Sequence, residues 1–82
     1  MEYSYRIQAG GFQKPRLGRM EAIDVWDALY KIRALEMPLR IKHADIALGW
    51  PYWDDEHGRF DITQRCFSLF MLDGMEYWKE LH

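Results

Sequence analysis

The stretch Arg59-Phe60-Asp61-Ile62-Thr63-Gln64-Arg65-Cys66-Phe67-Ser68-Leu69-Phe70-Met71-Leu72 decides the fold, because it admits two periods. Arg59 to Thr63 alternates and reads as a strand. From Thr63 onward a helix is expected. Thr63 is an acceptable N-cap, and Phe67, Phe70, Met71, Gly74, Trp78 and Leu81 recur at helical spacing, with Glu76, Lys79 and Glu80 on the other side. Asp73-Gly74 interrupts this pattern, and an interior Gly costs a helix about 1 kcal/mol relative to Ala. The segment is then one kinked helix or two short ones. The competing reading is a single strand from Arg59 to Leu72, since Phe60, Ile62, Phe67, Leu69 and Met71 also suit β structure.

Upstream the periods are plainer. Tyr3, Tyr5, Ile7 and Ala9 alternate with Ser4, Arg6 and Gln8, which predicts a strand with one buried face. Gly10-Gly11 ends it, and residues 10–18 read as a loop. Met20 to Glu36 is expected to be a helix, with Ile23, Val25, Trp26, Ala28, Leu29, Ile32 and Leu35 forming its apolar stripe. Asp27 and Lys31 make a favourable i,i+4 pair, and Met37-Pro38 stops the helix. Leu39 to His43 reads as a second strand, Ala44 to Leu48 is ambiguous and admits a helical turn, and Asp54 to Gly58 is the turn into the third strand. The expected fold is α+β: a two-layer sandwich in one domain over residues 1–82. It has a three-stranded antiparallel sheet with two helices on one face, in the order β-α-β-β-α.

An 82-residue chain that is 49% hydrophobic and 16% aromatic can build a core without a staple. The single Cys66 forms no internal disulfide, which suits a reducing compartment. Met1 to Arg6 carries charge where a signal peptide would be apolar. No run approaches the ~20 apolar residues of a spanning helix, so a cytoplasmic protein is expected. The net charge of −2 divides unevenly: residues 1–49 hold eight cations and six acids, residues 50–82 three and seven.

Catalytic and metal chemistry find little support. Asp54, Asp55, Glu56 and His57 are adjacent, and His43 and Asp45 lie two apart, but neither has the convergent spacing of a metal site. A run of acids before Gly is ordinarily a solvated turn. Cys66 sits among apolar residues, where Cys is generally a small hydrophobe, and no nucleophile elbow or phosphate-binding loop is present. No enzyme, metal or cofactor is expected. For nucleic acid, Lys14, Arg16 and Arg19 flank Phe12, while Arg6, Arg40 and Lys42 line polar strand sides that can share a sheet face. A sequence pI near 5.8 argues against that binding mode.

The stretch Trp50-Pro51-Tyr52-Trp53 followed by Asp54-Asp55-Glu56 concentrates aromatic area and charge. Alternation sends Trp50 and Tyr52 to one side and Trp53 to the other. Two readings stand: all three rings belong to the core, or Trp53 is left on the surface as an interface anchor. In the second, Asp54, Asp55, Glu56 and Asp61 form its charged rim.

In size, aromatic richness, mild acidity and absence of catalytic motifs, the chain resembles small accessory proteins of phages and mobile elements, the anti-CRISPR and host-defence inhibitors. That resemblance implies a protein that blocks a surface of a larger protein or ribonucleoprotein, with the acids facing a basic channel of a nucleic-acid-processing complex. A homodimer is a further expectation, because so many aromatics leave apolar area for a second copy.

Overall fold

The computed structural model describes residues 1–37 and 41–81. In chain order they form β1 (Glu2–Ala9), β2 (Arg16–Glu21), α1 (Val25–Glu36), β3 (His43–Asp54), β4 (Arg59–Leu72) and β5 (Met75–Leu81). All strand pairs are antiparallel, in the spatial order β2-β1-β3-β4-β5. The expected three-stranded sheet with two helices is therefore corrected to five strands and one helix. Among the described residues no helix is long and apolar enough to cross a membrane.

The largest correction falls on residues 63–81, which are strand, turn and strand. Asp73 and Gly74 both have left-handed backbone, φ 53° and 77°, and Leu72 pairs directly with Met75. Two consecutive left-handed residues make the tight turn whose twist matches paired strands, and Asp-Gly is its preferred sequence. What read as a weak point in a helix is the corner of a hairpin. The helical spacing was an accident of composition: Phe67 and Leu69 are buried under α1, whereas Phe70 lies on the other face of the sheet.

β2 is the second correction, since its residues were divided between a loop and the first turn of a helix. Its middle residue, Gly18, lies under the Tyr5 ring; a Cβ there would come 2.4 Å from Tyr5 Oη. A sterically required Gly removes the apolar residue that would have revealed alternation. The helix accordingly starts at Val25 and not Met20. The Asp24 carboxylate caps it, accepting from Asp27 N–H at 2.8 Å, and Asp27 in turn accepts from Ile23 N–H at 3.0 Å. The first bond satisfies a donor that the first turn would leave open, and the second ties the residue before the cap to the helix. The Asp27–Lys31 pair forms at 3.2 Å. The second strand begins at His43 and absorbs residues 44–48, after Ile41 and Lys42. Leu39 and Arg40, also assigned to it, lie outside the described residues.

One sheet face carries the core. Tyr3, Tyr5, Ile7 and Ala9 of β1, Ala44, Ile46 and Leu48 of β3, and Phe67 and Leu69 of β4 pack against Val25, Ala28, Leu29 and Ile32 of α1. Trp26 meets Phe67 edge-on at 5.5 Å. Two ion pairs brace the β5 side: Arg33 of α1 with Glu76, and Arg65 with Glu80, whose Nε–Oε2 distance is 2.8 Å. The Glu80 hydrogen bond raises the Arg65 guanidinium above its ordinary pKa.

β1 covers β3 only from Ala44 to Gly49. Beyond that rung β3 and β4 continue alone, pairing Trp50 with Thr63 and ending at Asp54 with Arg59. The result is a two-stranded arm, and it accounts for extents of 47 × 23 × 20 Å.

Candidate functional site

Opposite partners in an antiparallel ladder share a face, so the register assigns every side chain. On the face turned away from α1, Trp53 stands opposite Phe60, Pro51 opposite Ile62, Cys66 between Ala47 and Leu81, Phe70 opposite Tyr77, and Leu72 opposite Met75. Among the described residues no other element covers these positions, although Ala47, Cys66 and Phe70 are half-buried by their neighbours. Phe60 and Ile62 are each 73% exposed and Trp53 51%, with Leu72, Met75, Tyr77 and Leu81 also exposed. Trp53 and Phe60 meet edge to face at 5.0 Å, and Phe70 stacks on Tyr77 at 5.9 Å. Apolar residues thus occupy both ends of β4 on this face, with Gln64 and Ser68 between them.

The aromatic stretch divides by alternation. Trp50 is half-buried, with its ring 5.2 Å from Tyr3. Tyr52 follows on the same side but lies beyond the reach of α1, so it is exposed. Trp53 faces the open side. The acids expected around it are not equivalent. Asp54 organises the turn: its Oδ1 accepts from Glu56 N–H at 3.0 Å and His57 N–H at 3.3 Å, while Oδ2 lies 2.7 Å from His57 Nδ1. Asp55 and Glu56 are exposed in the turn. Asp61, opposite Tyr52, lies on the other side of the arm from Trp53 and accepts from Ile62 N–H at 2.8 Å. Of the expected rim, Asp55 and Glu56 are exposed in the turn that joins the strands carrying Trp53 and Phe60, and Asp61 does not share the Trp53 face.

Donor atoms of Asp54, Glu56 and His57 lie within 4.8 Å of one another. The hydrogen bonds of Asp54 explain that proximity as turn structure.

The cations of the nucleic-acid reading do not gather on one surface. Arg6 and Arg19 are on the open face, Arg19 paired with Glu2 at 3.7 Å. They flank a shallow groove with Ser4, Leu17, Gly49 and Ile62. Arg16 points to the helix side, where it donates to the Glu36 carbonyl at 2.9 Å and sits 4.4 Å over the Phe12 ring. Phe12 packs partly against the core, so it is no free stacking platform. Lys14 lies in the β1–β2 connection, Lys42 immediately before β3, and Arg40 outside the described residues.

Cys66 is half-buried on the open face. Beside it are Ser68, His43 and Asp45, a trio whose spacing needs comparison with a nucleophilic triad. His43 Nε2 is 2.6 Å from Ser68 Oγ and 3.3 Å from Asp45, and the Ser68 hydroxyl donates to Asp45 Oδ1 at 2.9 Å. In a triad the imidazole uses one nitrogen on the hydroxyl and the other on the carboxylate. Here one nitrogen approaches both and the hydroxyl proton goes to the acid. The trio is a closed polar contact between strands, without an activated oxygen.

Sequence reasoning missed Phe60 and Ile62 as surface residues, and Leu72, Met75 and Tyr77 with them. Counting across the Asp54–Gly58 turn would have set Phe60 beside Trp53. Comparison with known proteins finds no matching family model, no matching curated protein and no matching solved structure.

Proposed function

We propose that the chain is a non-enzymatic protein-binding module that works by occupying a partner's surface with the open face of its sheet. The observation that carries this reading is the uncovered apolar strip on β3 and β4, with Trp53 and Phe60 locked edge to face at one end. Monomers rarely leave contiguous apolar patches larger than a few hundred Å² in water. Aromatic rings held by their neighbours lose little side-chain entropy on binding, which makes them good anchors. Asp55 and Glu56, exposed in the turn at the end of the arm, supply steering charge toward a basic surface. In the form suggested by the phage-inhibitor resemblance, that surface belongs to a nucleic-acid-processing complex in the cytoplasm.

The test is affinity capture with wild-type bait and with Trp53→Ser and Phe60→Ser variants, each first shown to keep its circular dichroism spectrum. Loss of the same captured protein in both variants supports the reading. Undiminished capture by both removes the open face as the contact.

A further inference from the structure

We infer that the open face of the sheet is an isologous interface, occupied by a second copy of this chain packed across a twofold axis along β4. The inference rests on the reading of the open face as a protein contact, and puts a second copy there in place of a nucleic-acid-processing complex.

Surface area supports it first. A monomer of 9.9 kDa is expected to expose about 5,200 Å², by the scaling of surface with mass. This chain exposes 6144 Å², an excess of roughly 900 Å² over that expectation. A standard interface takes about 800 Å² from each partner. The radius of gyration agrees: 13.9 Å, against about 12 Å for a compact domain of this length. The chain has the surface of a monomer plus half an interface.

The pattern on the face then specifies what covers it. A twofold axis along β4 lays β4 on its own copy and β3 of each copy on β5 of the other. Across the middle rung Asp45 and Lys79 flank Ser68 on its two sides. The same rotation sets the acid of each copy over the base of its mate, twice. One rung on, Ala47 and Leu81 flank Cys66 and become apolar partners, and His43 and Tyr77 flank Phe70. Phe60 and Ile62 of the arm, both on β4, stack on the same residues of the second arm, and the two Trp53 rings, on β3, flank that stack from opposite sides. Along β4 the apolar Phe60, Ile62, Phe70 and Leu72 meet their own copies, Gln64 and Ser68 meet theirs as neutral polar pairs, and Asp45 and Lys79 are complementary. Arg6 and Arg19 lie on β1 and β2, outside the covered area. Aligned face-to-face packing of two sheets is a common architecture, with sheets ~10 Å apart.

Analytical ultracentrifugation of the full chain over a wide concentration range tests this. The expected result is a reversible species of twice the chain mass, shifted to monomer by Phe60→Glu. Asp45→Lys and Lys79→Asp should each weaken the dimer at least tenfold, and the double exchange should restore it. A bis-maleimide spanning the ~10 Å between stacked sheets should join Cys66 to Cys66 in the wild type and not in Phe60→Glu. A wild-type monomer at every concentration overturns the inference. So does a dimer indifferent to Phe60→Glu and to the charge exchange. If the wild type is monomeric but Trp53→Ser and Phe60→Ser lose a captured protein, the binding reading survives and the second copy does not. If neither dimer nor captured protein depends on these residues, both fall.

Discussion

Both faces of β4 carry large apolar residues, and those residues have opposite fates. Toward α1, Phe67 and Leu69 are buried; away from it, Phe60 and Ile62 are 73% exposed. The difference is one of cover. A 12-residue helix spans about 18 Å, whereas a 14-residue strand spans about 47 Å, so α1 shields only part of one face. Hydrophobicity in this strand therefore does two jobs: it stabilises the fold where the helix reaches and is available for association elsewhere.

Substitutions on the two faces should separate these jobs. Phe67→Ala removes a ring that is fully buried and in contact with Trp26. It should lower unfolding free energy by about 3–5 kcal/mol, read by urea denaturation. Phe60→Ala, measured at low protein concentration, should stay within about 0.5 kcal/mol of wild type. Equal costs at the two sites would mean that the arm is packed within one chain, and the comparison would fail.

On the covered face, Gly18→Val should cost about 1–3 kcal/mol, because the new side chain displaces the Tyr5 ring. An unchanged melting temperature would show that Tyr5 moves freely and β2 is loosely held. Asp24→Ala should cost about 1 kcal/mol through loss of the helix cap.

Two pH dependences follow from the same face. Burial, aided by Asp24 for Tyr3 and Glu36 for Tyr5, raises both phenols above the ordinary 10.0. A raised pKa means that the folded chain holds the proton more tightly than the unfolded one. This contribution is complete below pH 10, and is lost as pH climbs from there through the folded values. Spectrophotometric titration should show two of the five tyrosines ionising late. Asp27 moves the other way. The Ile23 N–H, and then Lys31, hold its carboxyl below its ordinary value. Its contribution is present above that value and is lost as pH falls through the folded one. Asp27→Asn should flatten that acidic limb.

The smallest effect is expected at the tip of the arm. Replacing Asp55 and Glu56 together by Lys should change stability by less than about 0.5 kcal/mol, since both are exposed turn residues. Asp54→Lys should cost more, because its carboxylate holds the turn. If capture of a basic partner is indifferent to the Asp55 and Glu56 changes, the acids do not steer it.

Residue order alone determined β1, the end of α1 before Pro38, the turn before β4 and the division of Trp50 from Trp53. Each rests on a local rule: strict alternation, the restriction before Pro, turn chemistry, or the period of a strand. Residues 63–81 read as helix, with a strand as the competing reading only as far as Leu72, because aromatic residues fill both periods there and the Asp-Gly pair looks like a weak point in a helix. Pairing with β3 over twelve rungs resolved it, since hydrogen bonds to a distant strand outweigh weak local preference. β2 was hidden for a related reason, its central Gly18 being required by a ring on another strand. The candidate site followed the same division. The exposure of Trp53 was one of two readings that the sequence offered, but that of its neighbours Phe60 and Ile62 was not foreseen, because exposure depends on where the helix ends, and only the packed structure sets that boundary.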